Sequence, residues 1–352
     1  MPVRRLMLIP ATAVATLLLT AGQALACGGL IGPNGAVNLL RTTTFAGYHD
    51  GVEHYVTAFQ FAGGGGTFGS IVPLPGVPSK VERGGDWTLQ RLVRETDPPS
   101  PELRVFAAAA SGSAEVLLQT RIDALDITVL KGGGAAIGAW ATKNGFRLPP
   151  DAPEVLDFYA NRSPIFLAAV FDADAAKQRG QAVGDGTPVH LTIPTANPWV
   201  PLRILALGKT GAERVDADVY LLTDHRPALL PAPNANGLVL QVSEPASEGL
   251  LKDLRSDKGM RWVPQVAWLS KVRVDATASQ LRFDLAIDAS GRNQPSLRDA
   301  GLAPFGPMPA PSRTPWIGWV LLLSAAGLAL PLATGVYLVR LGTRRLPPPA
   351  GA

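Results

Sequence analysis

Cysteine is almost missing from this chain: 352 residues hold one, Cys27. An internal disulfide framework is therefore excluded, and the core must hold itself together. Charge is sparse as well, at 17% of residues against 47% apolar, which is leaner in charge than an ordinary soluble domain. Histidine is limited to His49, His54, His190 and His225. The chain has no Gly-x-Ser-x-Gly elbow, and no glycine run fits either the dinucleotide fingerprint or the Gly-Lys-Ser/Thr ending of a phosphate loop. No internal repeat is visible.

Much of the apolar excess sits in two segments. Arg4 and Arg5 precede an apolar run from Leu6 to Leu19, and Ala24-Leu25-Ala26 supplies small residues at the cleavage positions. Residues 1–26 therefore read as a secretory signal peptide cut between Ala26 and Cys27. An uncleaved anchor is the other reading, but the run is short for a bilayer span. Residues 316–339 form the second segment, 24 positions without a charge, flanked by Trp316, Trp319 and Tyr337 and followed by Arg340, Arg344 and Arg345. At helical rise it would extend roughly 36 Å, enough to cross a hydrocarbon core of about 30 Å. The arginines place residues 340–352 in the cytoplasm.

The expected topology is one span, with the exterior part beginning at Cys27. All 28 acidic residues lie between the two segments, while five of the 32 basic ones lie in or beyond them. The exterior part is thus close to neutral, and the overall +4 reflects topology; nucleic acid is not expected as a partner. Residues 289–315 carry six prolines and are expected to form an extended stalk under a folded region at 27–288.

Within that region strands dominate. Tyr55, Thr57, Phe59 and Phe61 alternate with smaller or polar neighbours, and so do Val215, Ala217, Val219 and Leu221. Leu281, Phe283, Leu285 and Ile287 alternate with Arg282, Asp284, Ala286 and Asp288, predicting one dry and one wet face. Further strands are expected in "EVLLQTRI", "LDITVL", "IFLAAVF" and "VHLTI". Four helices are marked by their ends: residues 87–95 capped by Asp86, residues 135–144 stopping at Gly145, one beginning at Asp151 with Pro153 in its first turn, and residues 247–257 before Gly259. The fold class is α+β, a strand-rich domain with a few short helices, plus the C-terminal transmembrane helix.

"CGG" at residues 27–29, "SIVPLP" at 70–75, "WATKNGFRLP" at 140–149 followed by "DFYANRSPIFLAAVF", and "WLSKVRV" at 268–274 together resemble the bacterial domain-of-unknown-function 2330 family. The resemblance covers most of residues 27–288 and implies an exported, membrane-attached domain of unassigned activity. A second cysteine often follows the first in that family's pattern, and Gly32 stands there in this chain. A disulfide or metal role resting on such a pair does not carry over to Cys27.

Candidate chemistry is thin. In "YHDGVEHYV" a two-residue Asp50-Gly51 turn would pair His49 with Val52 and Gly47 with His54, leaving both histidines on one face as diagonal neighbours. They are the candidate metal ligands, without a third ligand at a diagnostic spacing. The competing expectation is a solvated hairpin tip facing away from the main apolar layer. Asp224 and His225 are adjacent, so on a strand they would face opposite ways; Ser70 lacks an elbow. The glycines at 132–134 read as a flexible connector ahead of a helix, and Asn161-Arg162-Ser163 as a chance match to the glycosylation triplet. Cys27 has Ala24 and Leu25 in the reverse of the order lipidation requires, so it marks a processing boundary. No catalytic residue and no cofactor is expected. The expected function is a non-catalytic binding or structural module of the cell envelope, held in the bilayer by residues 316–339. The alternative is an extracytoplasmic metal-dependent enzyme using His49 and His54. Pro331 and the small residues at 324–327 suggest a membrane or envelope protein partner.

Overall fold

The computed structural model describes residues 24–25, 29–32, 35–36, 41–60, 67–97, 115–172, 174–175 and 186–303. The Ala26–Cys27 junction, the predicted span at 316–339 and the tail at 340–352 lie outside them. Among the described residues no helix is long and apolar enough to cross a membrane.

In chain order the strands are β1 (Ala24–Leu25), β2 (Gly29–Gly32), β3 (Gly35–Ala36), β4 (Arg41–His49), β5 (Val52–Gln60), β6 (Phe68–Leu74), β7 (Lys80–Arg83), β8 (Glu115–Ile122), β9 (Leu125–Lys131), β10 (Ile165–Phe171), β11 (Gly186–Pro194), β12 (Trp199–Val200), β13 (Arg214–Thr223), β14 (Ala228–Leu230), β15 (Leu238–Pro245), β16 (Trp268–Thr277) and β17 (Leu285–Asp288). The helices are α1 (Thr88–Thr96), α2 (Gly134–Lys143), α3 (Ala152–Ala160) and α4 (Glu248–Ser256). Strand-rich sheets paired mostly antiparallel, with only four α-helices between strands among the described residues, make this an α+β fold, as composition and periodicity predict.

Three sheets are formed among the described residues. The largest runs β15-β16-β13-β4-β5-β11-β7, with β1 added in parallel to β4. A six-stranded sheet runs β3-β2-β6-β10-β9-β8, and β12-β17-β14 form a small third one. The β4–β5 hairpin turns at Asp50 and Gly51, whose φ angles are 49° and 78°. Two successive positive φ values are what a two-residue turn requires if the strands are to keep their twist. Its register pairs His49 with Val52 and Gly47 with His54, as turn chemistry alone predicts.

The large sheet is buried on both faces, which period-2 patterning does not reveal. Its inner face (Ala46, Tyr55, Leu191, Val219, Val272) joins β6, β9, β10, α2 and α3 in one core. Its outer face (Phe45, Val56, Tyr220, Leu222, Leu269) is covered by Leu92 of α1, by Leu250, Leu251 and Leu254 of α4, and by Met260 and Val263 just beyond α4. Each of these side chains contributes roughly 1.5–3 kcal/mol by leaving water, so the outer layer is held as firmly as a core. Lys271 reaches through this layer to Asp97, at 2.6 and 2.7 Å.

Two helix starts and one strand depart from expectation. Asp86 does not cap α1; it pairs with Arg83 at 2.5 Å, and the cap comes from Asp257, 169 residues away in sequence. Gly134 at the start of α2 donates its amide to Asp157 Oδ1 at 3.1 Å, so the glycine connector is fastened to α3. The expected strand at 281–288 forms only over Leu285–Asp288. Asp284, placed on the wet side by alternation, is fully buried. It ion-pairs with Arg162 and accepts hydrogen bonds from Tyr159 Oη at 2.9 Å and from the Leu202 and Arg203 amides at 2.6 and 3.0 Å. A carboxylate with that many donors can be buried without an orphan charge. Residues 289–303, assigned to the stalk by their prolines, extend the folded region: Ala300 is buried, its carbonyl accepts from the Asp284 amide at 2.9 Å, and Arg298 reaches the Asn161 carbonyl at 3.3 Å.

Candidate functional site

The outer face of the hairpin and the neighbouring β11 and β7 gather most of the titratable groups of interest. Register places His54 opposite Thr192, His190 opposite both Val56 and Glu82, and Lys80 opposite Thr192. Paired residues of neighbouring strands share a face, so His54, His190, Lys80 and Glu82 all lie on the outer side. Phe45, Gly47 and His49 share it on β4.

His54 Nδ1 lies 3.0 Å from His190 Nε2, joining the two imidazoles by one hydrogen bond. Trp262 covers them, its indole stacked on the His54 ring at 3.9 Å and 2°. The stack depends on Gly47, where a Cβ would overlap the indole. Burial, the neighbouring His190 and His49 push His54 down to about 3. Burial is also the largest influence on His190, at about 4; Glu82 opposes the lowering and Lys80 adds to it. Both rings are therefore neutral at physiological pH. His190 Nδ1 is buried without a hydrogen-bond partner and stands 3.6 Å from Glu82 Oε1. The same oxygen receives Lys80 Nζ at 2.9 Å.

Beyond α4 the chain turns sharply at Asp257-Lys258-Gly259 and passes over this face to Trp262. Gly259 has φ +81°, and a Cβ there would fall 2.9 Å from His190 Nδ1. The turn is anchored by Asp257, whose Oδ2 accepts from Thr88 N at 2.8 Å and Thr88 Oγ1 at 2.6 Å, while Oδ1 accepts from the Lys258 amide at 2.9 Å. Asp257 thereby satisfies the start of α1 from a distant part of the chain. Between this turn and β7 opens a cleft of about 440 Å³ lined by Lys80, Glu82, Arg255, Asp257, Lys258 and Arg261, with Ser256 and Gly259. Four cations face two carboxylates, one of them already committed to the α1 cap. Lys258 and Arg261 are exposed, and their side chains have no ion-pair partner among the described residues.

The two predicted metal ligands are on one face but serve different partners. His54 Nδ1 faces His190, and His49 Nδ1 faces Asp224 Oδ1 at 2.7 Å. Among the described residues no group of three or more His, Cys, Asp or Glu is arranged to hold a metal ion. His54 is 9% exposed, so the expected solvated tip holds for Asp50 and Gly51 but not for His54. Asp224 and His225 follow the end of β13, where Asp224 turns to His49. Ser70 is buried on β6 with its hydroxyl unpaired, out of reach of a substrate. Asn161 ends α3, its side-chain amide donating to Asp157 O at 2.9 Å. The signal-cleavage residues Ala26 and Cys27 lie outside the described residues. Sequence reasoning missed His190, 136 residues from His54, and the basic turn. The turn had a readable signal, Arg255, Lys258 and Arg261 around one glycine, but nothing local announces that Lys80 and Glu82 lie across from it.

No protein of curated function matches the chain in sequence. Among solved structures, crystal structure of baculovirus P35 is similar at 11% identity over 59% of this chain and 76% of that one, with a TM-score of 0.34. A mutated baculovirus P35 after caspase cleavage is similar at 10% identity over 70% and 99% of the two chains, with a TM-score of 0.36. Likeness at that level carries no conclusion about fold or function. The family profile is different in weight, for it spans residues 21–239, well over half the chain. With its hairpin, its β6 and its α2–α3 block inside that match, the chain belongs to DUF2330, a family of uncharacterized proteins conserved in bacteria.

Proposed function

We propose that the chain is an exported protein held in the bacterial membrane by residues 316–339, and that its exterior domain is a binding module taking a small anionic ligand into the cleft between β7 and the turn after α4. One observation carries this reading: the cleft of about 440 Å³ is lined by four cations and two carboxylates, an excess of two positive charges. Its size is that of a small-molecule site, and a concave site of one sign draws in ligands of the other. The histidines support binding over metal chemistry by their occupations, since His49 and His54 each give Nδ1 to a protein partner. The leader and the charge-free C-terminal segment support export and anchoring.

Thermal unfolding of the full chain in a zwitterionic detergent tests the binding reading. Phosphate, sulfate, citrate and, as a cationic control, spermidine are added at matched ionic strength. At least one anion should raise stability by about 1.4 kcal/mol when present at ten times its Kd; no anion exceeding sodium chloride would sink the reading. The topology is tested separately by protease treatment of spheroplasts, which should remove the domain and spare a tag on the tail. Loss of the tag from outside would overturn it.

A further inference from the structure

The cleft's composition points further than to a generic anion site. We infer, resting on the binding reading above, that the cleft is a phosphate site in which Lys80, Lys258 and Arg261 hold the anionic oxygens of a phosphate or phosphomonoester while Glu82 accepts its P–OH proton.

The argument begins with the carboxylate. In a cleft built to attract anions, Glu82 is out of place for any fully ionised ligand, because it repels the charge its neighbours attract. It becomes an asset when the ligand carries a proton. A phosphate group with its second ionisation near pH 6 to 7 keeps a share of P–OH at neutral pH; sulfate keeps none. An O–H donor to a carboxylate makes a strong charge-assisted bond, whereas a bare oxygen against the same carboxylate leaves two unpaired acceptors face to face. Glu82 is thus a specificity-determining residue that separates phosphate from sulfate.

The cations suit the remaining oxygens. Lysine is a point charge that meets a phosphate oxygen from any direction, and an arginine fork spans two oxygens. Lys258 and Arg261 make no competing ion pair among the described residues. Arg255 is already tied by Nη1 to the Pro264 carbonyl at 2.6 Å, which fixes it as a wall of the cleft.

A second, independent observation lies behind Glu82. His190 Nδ1 is buried, unpartnered and 3.6 Å from Glu82 Oε1, the oxygen that Lys80 holds in this structure at 2.9 Å. It sits against Gly259, where no Cβ intervenes between the ring and the cleft. When Lys80 turns to a ligand oxygen, Glu82 loses one partner and has another within a short movement. The arrangement lets Lys80 exchange Glu82 for the ligand while the carboxylate stays held. The volume exceeds what a bare phosphate fills, leaving room for the organic part of a monoester.

The test uses the full chain in zwitterionic detergent at pH 7, with calorimetric titration of inorganic phosphate, glycerol phosphate, sulfate and citrate. Phosphate or glycerol phosphate should bind about tenfold more tightly than sulfate, a difference of ~1.4 kcal/mol. Glu82→Gln should abolish that preference by letting sulfate in, since an amide donates as well as accepts. Lys258→Ala with Arg261→Ala, both on the surface, should weaken phosphate by about tenfold or more at an unchanged melting temperature. Equal binding of phosphate and sulfate by the unaltered protein, which needs no variant to fold, would overturn the proposal; so would a preference that survives in a folded Glu82→Gln. Binding of citrate without phosphate would overturn it while leaving the anion-binding reading intact, and binding of no anion would overturn both. Dihexanoyl phosphatidic acid, compared with glycerol phosphate and with dihexanoyl phosphatidylcholine, distinguishes the source: tighter binding of the acid lipid identifies a headgroup, tighter binding of glycerol phosphate a soluble ester, and either supports the site.

Discussion

Glu53 offers the sharpest test of how the domain is held together. It sits on β5 facing the inner core, opposite Tyr48 on β4 and Ile193 on β11, and is fully buried. Neither carboxyl oxygen makes a well-formed hydrogen bond. Burial raises its pKa from 4.5 to about 8, with the Trp199 backbone pulling weakly the other way. The folded protein therefore keeps this carboxyl protonated at neutral pH, while the unfolded chain ionises it. For a group whose folded pKa is raised, stability is fully present below the unfolded pKa and is lost as pH climbs toward the folded one. Between pH 5 and 7.5 the loss comes to about 3 kcal/mol. Glu53→Gln has the same shape and no proton to lose. The stability difference between variant and parent should thus grow in the variant's favour by that amount over the same interval, and contributions from other titrating groups cancel in the difference. Urea unfolding of both full-length proteins in detergent, followed by far-UV circular dichroism at several pH values, measures it; the melting temperatures should diverge by about 2–4 °C per kcal/mol. A difference that stays constant with pH would refute the reasoning, because it would mean the carboxyl titrates alike in both states.

The histidine pair predicts the opposite limb. His54 and His190 are lowered to about 3 and about 4, so the unfolded chain binds protons first and the parent should lose stability as pH falls below about 6.5. Replacing both by glutamine should flatten that limb in the same urea titrations. Gly47→Ala should drive Trp262 off His54 at a cost of about 1–3 kcal/mol, read as a shift in tryptophan emission with a lowered urea midpoint; an unchanged spectrum would show that the indole does not need the missing Cβ. Arg162→Ala leaves Asp284 buried and short of its countercharge, and should cost about 3–5 kcal/mol, whereas Arg282→Ala on the exposed surface should change the midpoint hardly at all.

What could be read in the sequence follows from what is locally encoded. Asp50-Gly51 dictated its own turn and, through it, the register of nine-residue strands on either side. Gly145 follows the last turn of α2 with a positive φ of 76°, as a helix-ending glycine should, whereas α4 ends earlier, at Ser256, where Asp257 turns extended, and Gly259 (φ 81°) shapes the turn that follows. Alternation worked where one face met the core and failed where a buried charge broke it: Asp284 reads as solvent-facing until Arg162, Tyr159 and two backbone amides converge on it. The second apolar layer over the large sheet was hidden for a similar reason. Phe45, Val56 and Leu222 look like the odd residues of half-exposed strands, and only the arrival of α1 and α4 makes them interior. The candidate site suffered most, since His54–His190, Thr88–Asp257 and Lys80 across from Lys258 are all pairings over more than a hundred residues. Composition near one end of such a pair says nothing about which segment will face it.

The last described residues also decide how the domain would bear load. Residues 296–303 lie on α3, held by the Arg298–Asn161 and Arg162–Asp299 contacts, and Gly301 is pressed so close to Phe158 and Arg162 that a side chain there would collide with them. If residues 316–339 hold the chain in a membrane, as proposed above, tension would enter at residue 303 and meet this short apron first. The Asp284 cluster stands just behind, tying α3, the turn at 202–204 and the start of β17 to a single carboxylate. Were the chain anchored through residues 316–339 as proposed, a pull on it would meet three segments joined at one carboxylate before reaching the large sheet.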